Sequence, residues 1–385
     1  MLKKARSLET MLVQWRREFH QHPELGFHET WTSNRIAEIL DELGCIVRTG
    51  VGRTGVIGDL GKGLPIIAIR ADMDALPILE ANDRPYVSCR PGIMHACGHD
   101  SHIAMALGAA ALLSKEHFPG RARFLFQPSE EVADNEGISG APRMIADGAM
   151  QDVSMIIATH IDPTTSVGKV RIAAGSFSAG VDSFFAKIKG KGSHGAWPHA
   201  GIDPIHLAGH VILALNGIVS RRLDPFTPAV VSLGSIHGGQ AENVIPDQVN
   251  LAGTIRFLDG EVQSQIHTEI EKALEIARTL GGDYELDIQI GTPPMVNATQ
   301  VVNLIEGVVS DLLGAENCLP PVNSLGAEDF GCFSEITPGA MFTLGCKIEG
   351  DERLIHNPNF DIDESCLPLG TAIFAETALR FLAVD

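Results

Sequence analysis

Pro65-Ile66-Ile67-Ala68-Ile69-Arg70 is a compact apolar run, and Asp72-Met73-Asp74 stands at its end. A run this short and continuous reads as a strand buried on both faces, as in a parallel sheet covered by helices. Two more strands of the same kind follow. Arg123-Phe124-Leu125-Phe126 runs into Gln127-Pro128-Ser129-Glu130-Glu131, and Val153 to Ala158 runs into Thr159-His160-Ile161-Asp162. Each delivers carboxylates or a histidine just past its last apolar residue. Ligands of α/β folds bind outside the carboxyl ends of the strands, so the three ends predict one shared site.

Met94-His95-Ala96-Cys97-Gly98-His99-Asp100-Ser101-His102 lies between the first two strands. It follows the turn-like Arg90-Pro91-Gly92 and precedes Ile103 to Leu113, an apolar run with helical character. A thiol and imidazoles packed this closely suit a borderline-soft divalent ion such as zinc, nickel or manganese. Cys97 and His99 are two apart, so in an extended segment they point the same way. A single Cys-x-His pair would be read as a buried thiol beside surface imidazoles. The carboxylates and histidine at the other strand ends are what turn it into a metal-site candidate.

Bulk properties narrow the function classes. A chain of 385 residues predicts two domains, and its 44% hydrophobic content is that of a soluble globular protein. The formal charge of −19 argues against nucleic acid or an anionic membrane surface as a partner, and means that an anionic substrate needs a local cationic site. Seven scattered cysteines do not form a disulfide framework and point to a reducing compartment. Met1-Leu2-Lys3-Lys4-Ala5-Arg6 has the charge of a secretory leader, but Ser7-Leu8-Glu9-Thr10 supplies no apolar core after it. With no stretch near 18 uninterrupted apolar residues, the expectation is a cytoplasmic protein without a transmembrane helix.

Along the chain, Leu8 to His20 and Thr32 to Leu43 have helical periodicity, and 45–59 reads as a hairpin. The texture changes near Ser178. Strand 182–191, helix 204–219, strands 229–235 and 248–257, helix 261–280 and strand 284–290 make a β-α-β-β-α-β order, that of a ferredoxin-like split unit. The expected organisation is a catalytic domain over 1–177 and 293–385, interrupted by an inserted α+β domain over 178–292. The resumed part holds helix 301–313, strand 341–344, His356 in a Pro/Asn-rich loop, and helix 368–383.

Several motifs occur together and in order: Arg70-Ala71-Asp72-Met73-Asp74-Ala75-Leu76-Pro77, Met94 to Asp100, Gln127-Pro128-Ser129-Glu130-Glu131, Gly192-Ser193-His194-Gly195-Ala196-Trp197-Pro198-His199, Asn243-Val244-Ile245-Pro246 and Gly326-Ala327-Glu328-Asp329-Phe330. Over nearly its whole length the chain resembles the M20 metallopeptidase family, in particular its N-acyl-amino-acid amidohydrolase branch, which includes hippurate and auxin-conjugate hydrolases. The resemblance implies a mixed-sheet, zinc-peptidase-like α/β catalytic domain with an inserted ferredoxin-like lid or dimerisation domain. A homodimer through that domain is the family habit.

The same resemblance implies site residues. Cys97, His99, Glu131, His160 and His356 look like the ligands of two divalent ions, of zinc, manganese, nickel or cobalt. Glu130 resembles the general base. Adjacent side chains diverge, so Glu131 can hold metal while Glu130 faces the water, whose pKa the metals lower. Asp74 resembles a residue that orients a ligand, with turn capping as its competing role. Asp72 stands where other branches carry a histidine ligand, and Cys97 looks like the replacement. His95 and His102 are taken as neighbours or hydrogen-bonding supports of the ligands, with Asp100 beside them. In the inserted domain His194 resembles an oxyanion donor, reaching across from a partner subunit or acting after domain closure. Asn243 and Arg256, thirteen apart on neighbouring strands, resemble a pair that grips the substrate α-carboxylate, for which Arg offers a bidentate fork.

Two features depart from the branch pattern. Val132 to Ala141 is longer and more acidic than the usual glycine-rich run, and Trp197 adds bulk beside His194. The implied activity is hydrolysis of the amide bond of an N-acyl amino acid. The alternatives are a carboxypeptidase or dipeptidase with the same centre, and a non-catalytic protein that has kept the fold. Retention of Glu130 beside all five ligand-type residues argues against the last.

Overall fold

The structure is a computed structural model and describes residues 1–322 and 324–383. The chain divides into two compact units. The first comprises Met1–Phe177, Val296–Asn323 and Cys332–Asp385; the second comprises Ser178–Met295 and Ser324–Gly331. The sequence reading had left 324–331 with the resumed catalytic part.

The first unit is built on an eight-stranded mixed sheet, in the order Ile46–Val51, Gly55–Lys62, Gly120–Gln127, Ile66–Asp72, Val153–Ser166, Gly339–Lys347, Val170–Arg171, Cys318–Leu319. Its centre is parallel: Ile66–Asp72 pairs in parallel with Gly120–Gln127 on one side and Val153–Ser166 on the other, and Gly339–Lys347 extends the block. Every residue of Ile66–Asp72 is buried, as its apolar run requires. The hairpin Ile46–Val51/Gly55–Lys62 adds antiparallel strands at one edge.

Helix His99–Leu113 is buried at every position, so it shows no polar face and packs within the core. It begins four residues earlier than its apolar run suggests. Gly98, at φ +89°, caps it, and a Cβ there would sit 2.4 Å from Ile161 Cδ1. Both facts require glycine. Helices Glu9–Gln21 and Leu367–Leu382 pack against it through Leu12, Phe19, Ala372 and Ile373, all closed to solvent.

A charged cluster is buried beside this core. Arg16, wholly enclosed, donates to Asp100 at 2.9 Å and Asp361 at 3.2 Å, and Asp100 also takes His20 Nδ1 at 2.7 Å. These bonds tie the N-terminal helix to the start of His99–Leu113 and to the loop after His356.

The second unit has Gly180–Lys189, Pro204–Arg222, Ala229–Gly238, Gln248–Phe257, Gly260–Thr279 and Asp283–Ile290 in β-α-β-β-α-β order. Its four strands are antiparallel, with Gly180–Lys189 and Gln248–Phe257 central and Ala229–Gly238 and Asp283–Ile290 at the edges. That is a ferredoxin-like sheet. Phe184, Val211, Leu251, Ile255, Ile270 and Leu274 form its separate core. Among the described residues no helix is long and apolar enough to cross a membrane.

Candidate metal centre

The carboxyl ends of the parallel strands bring five side chains together in the first unit. Ligating atoms of Cys97, His99 and His160 lie within 4.8 Å of one another, as do those of Cys97, Glu131 and His356. The thiol is common to both groups. A third group, His99, Glu130 and Glu131, brings in the other glutamate on the same criterion. All five residues expected to hold metal therefore converge, from sequence positions as far apart as 97 and 356.

His160 reaches the site by a route that differs from the sequence reading. The strand does not end at Ala158 but continues to Ser166, with His160 paired to Thr343. Its neighbour Ile66–Asp72 pairs only as far as Ala158, opposite Arg70. His160 thus stands at the level of Asp72, still at the rim of the parallel block.

The imidazoles are held from behind. His99 Nδ1 donates to the Asp74 carbonyl at 2.9 Å, and His160 Nδ1 donates to the Ile161 carbonyl at 2.8 Å. Each ring therefore turns its Nε2 into the cluster, the orientation that metal-binding histidines need. His160 Nε2 lies 3.3 Å from Cys97 Sγ, and His356 Nε2 lies 3.1 Å from Glu131 Oε1. His356 sits on a loop residue at φ +58°, whose N–H donates to the Ala96 carbonyl at 2.7 Å. That bond ties the His356 loop to the Cys97 segment.

The donor set fits divalent metal. His99 Nε2 and Glu131 Oε1 are buried, and neither has a well-aligned hydrogen bond among the described residues; the one close partner of Glu131 Oε1 is the His356 ring at 3.1 Å. Buried polar atoms are rarely left so, and here they face one another across a thiol and two further imidazoles. Burial pushes the Cys97 thiol well above its usual range, against the pull of His99. A metal ion would have to displace that proton, which soft divalent ions do.

The neighbouring polar residues are already engaged. Asp72 Oδ2 takes Arg70 Nη1 at 2.6 Å, and Oδ1 takes His102 Nδ1 at 2.6 Å. His102 Nε2 in turn accepts the Ile161 N–H at 3.1 Å, which fixes its neutral tautomer, and burial lowers its pKa to about 4. Asp72, His99 and His102 are close enough to form a metal trio, but both Asp72 oxygens and both His102 nitrogens already have hydrogen-bond partners. Asp100 is occupied by Arg16, His20 and the Ser101 N–H. His95 is buried without a hydrogen-bonding partner among the described residues, outside every metal group. Asp74 Oδ2 accepts the Glu131 N–H at 3.0 Å, an orienting bond within the site itself.

Sequence reasoning missed Glu29. Its buried carboxylate accepts the Ser129 N–H at 2.8 Å and the Thr54 hydroxyl at 2.6 Å. Gly26-Phe27-His28-Glu29 carries no motif that announces this.

In the second unit, Ser193–His194 pairs with Val244–Ile245, and Gly195 N–H donates to the Asn243 carbonyl at 2.8 Å. His194 is exposed, 5.0 Å from the Trp197 ring. Arg256 is elsewhere. It lies near the end of Gln248–Phe257, opposite Val181 and Val230, with its guanidinium on the Ile255 carbonyl at 3.0 Å and on Thr254. Eight residue steps of strand lie between it and Gln248, about 26 Å at the usual rise. Asn243 and Arg256 are therefore not neighbours. Within one chain Asn243 lies before the start of this strand and Arg256 near its finish, so the pair expected to grip one carboxylate is spread along the sheet.

Comparison with known proteins agrees with this geometry. Residues 68–380 match the family described as peptidase family M20/M25/M40. IAA-amino acid hydrolase ILR1-like 2 of Arabidopsis thaliana is 39% identical, covering 99% of this chain and 88% of its own. Thermostable carboxypeptidase 2 of Saccharolobus solfataricus is 37% identical, covering 98% and 97%. The crystal structure of the Bacillus subtilis YXEP protein, described as a dinuclear metal binding peptidase from the M20 family, superposes with a TM-score of 0.86 at 33% identity, covering 98% of this chain and 100% of that one. The protein is thus a metal-dependent hydrolase of the amidohydrolase and peptidase kind. Matched over most of its length by the family and end to end by its relatives, the chain belongs to peptidase family M20/M25/M40.

Proposed function

We propose that the protein hydrolyses the amide bond of N-acyl-L-amino acids or similar amino-acid conjugates, with Glu130 as general base. The observation that carries this reading is the convergence of Glu130 with five ligand-type side chains at one sheet rim. In this reading Cys97, His99, Glu131, His160 and His356 would hold two divalent ions of zinc, manganese, nickel or cobalt. When bound, the ions supply Lewis acidity that acidifies water and polarises the amide carbonyl. Glu130 takes the proton from the attacking water as the C–O bond forms. It returns that proton to the amine as the C–N bond breaks, so a free amino acid and a carboxylate leave. Asp74 keeps Glu131 in place through its N–H.

For the second unit, Arg256 supplies a cationic fork suited to a carboxylate in a chain whose net charge repels one. Burial lowers its pKa, and its bonds to Thr254 and Ile255 leave donors over. His194 and Asn243 form a separate polar pair, with His194 as the candidate oxyanion donor.

A relative named a carboxypeptidase supports the second reading, cleavage of short peptides by the same centre. The test combines elemental analysis with rates on N-acetyl and N-benzoyl amino acids and on dipeptides. The proposal expects acyl-amino acids to be the better substrates, and Glu130→Gln to keep its metal while losing at least about 10²-fold in kcat. Wild-type metal content together with wild-type kcat in Glu130→Gln would remove the base assignment. Faster turnover of dipeptides would favour the peptidase reading.

A further inference from the structure

We infer that Glu29 is a positioning residue for Glu130: its carboxylate holds the backbone turn at Ser129 from which the base projects. The inference rests on the reading of Glu130 as general base.

Ser129 is fully buried and adopts φ +45°, a left-handed conformation that residues with a Cβ avoid. Such a conformation persists only where the surroundings enforce it. Here the Ser129 N–H donates to Glu29 Oε1 at 2.8 Å, while Thr54 Oγ1 donates to Glu29 Oε2 at 2.6 Å and keeps the carboxylate from rotating away. On the other side of the base, the Glu131 N–H donates to Asp74 Oδ2 at 3.0 Å. The residues on both sides of Glu130 are therefore each anchored by a buried carboxylate from a distant segment. The remaining groups of Ser129 are also used: its hydroxyl donates to the Val132 carbonyl at 2.7 Å, and its own carbonyl accepts the Gly140 N–H at 2.9 Å.

Close packing locks the segment bearing Glu29 onto this turn. A Cβ on Gly26 would sit 2.2 Å from Ser129 Oγ, and one on Gly140 would sit 1.6 Å from the Pro128 carbonyl oxygen. The turn is thus pressed between two backbones that only glycine allows so near. Burial raises the Glu29 pKa to about 7, and no cationic group is among the influences on it. A buried carboxylate without a counter-ion is costly, and its two partners here are the turn and the hydroxyl that braces it. The Glu29 backbone serves the head of helix Thr30–Glu42, where its carbonyl accepts the Ser33 N–H at 3.0 Å; its side chain serves the turn.

The experiment compares Glu29→Ala, Glu29→Gln, Glu29→Asp and Ser129→Gly in the metal-loaded full chain, with an N-acetyl amino acid as substrate. Glutamine keeps an acceptor oxygen at the same reach; aspartate keeps the charge but draws the oxygens back by one methylene. Positioning predicts that Glu29→Ala and Glu29→Asp lose on the order of 10²-fold in kcat, the scale of a misplaced catalytic group, with KM and metal content close to parental. Glu29→Gln recovers most of that loss. Ser129→Gly in the Glu29→Ala background recovers part, because glycine keeps positive φ without an anchor. Should Glu29→Ala fail to fold, Glu29→Asp against Glu29→Gln carries the test. A lowered melting temperature with parental kcat in the folded fraction, or a Gln variant worse than the Asp variant, overturns the inference. Glu130→Gln run alongside separates the two readings. Active Glu130→Gln ends the general-base reading, and the inference with it; inactive Glu130→Gln with undisturbed Glu29→Asp ends the positioning role alone.

Discussion

The Glu131 N–H donates to Asp74 Oδ2 at 3.0 Å, and the Asp74 carbonyl accepts His99 Nδ1 at 2.9 Å. One residue thus steadies two ligand-type side chains, one at the head of helix His99–Leu113 and one after strand Gly120–Gln127. Asp74→Ala is expected to weaken metal affinity about 10- to 100-fold, the usual effect of removing a group that orients a ligand. Asp74→Asn keeps an oxygen for the Glu131 N–H and loses less. Chelator competition on the purified variants reads both. Parental affinity in Asp74→Ala would show that the carboxylate does not orient Glu131.

Asp72 stands beside the ligands without being free to join them. Arg70, its partner at 2.6 Å, is 1% exposed, and His102 occupies the other oxygen. Burial opposes ionisation of Asp72, but His99, Arg70 and His102 together hold its carboxyl well below the usual range. Asp72→Ala removes the carboxylate paired with a buried guanidinium, and breaking such a pair costs about 3–5 kcal/mol. The metal-to-protein ratio is expected to stay parental while denaturant unfolding shifts by that amount. A fall in the ratio with little loss of stability would make Asp72 a ligand.

Much of the site was legible because its chemistry lies at strand ends, where short apolar runs stop and polar residues begin. Glu130, Glu131 and Asp74 follow that rule. His160 follows it in position but not for the expected reason: its strand goes on to Ser166 by backbone pairing with Gly339–Lys347, which apolar periodicity does not register. The roles of Asp72, Asp100 and His102 were not legible, because each depends on a partner found only in the fold. Arg16 lies 84 positions from Asp100. The inserted unit's element order followed directly from period-2 and period-3.6 patterns. The separation of Asn243 from Arg256 did not, since it depends on how far along one strand the arginine lies.

Glu29 makes stability depend on pH in a direction opposite to that of an ordinary paired carboxylate. Burial first, and the nearby Asp74 charge after it, raise its pKa from the ordinary 4.5 to about 7, against the pull of Thr54 and of the Ser129 N–H. The folded state therefore binds the proton more tightly than the unfolded chain does. The stability this gives is fully present below about 4.5 and is lost as pH rises through about 7, with no further loss above. The whole effect is on the order of 3 kcal/mol. Glu29→Gln has no charge to bury, so its stability relative to the parent is expected to rise between pH 5 and pH 8 by roughly that amount. Metal-depleted protein is the right sample, because bound cations beside Asp74 would stabilise the ionised form and shrink the difference. Denaturant midpoints for both proteins at the two pH values make the measurement. A parent-minus-variant difference that does not move with pH would mean that Glu29 keeps the same protonation state throughout, and that its bond to Ser129 is not made at the cost of a buried charge.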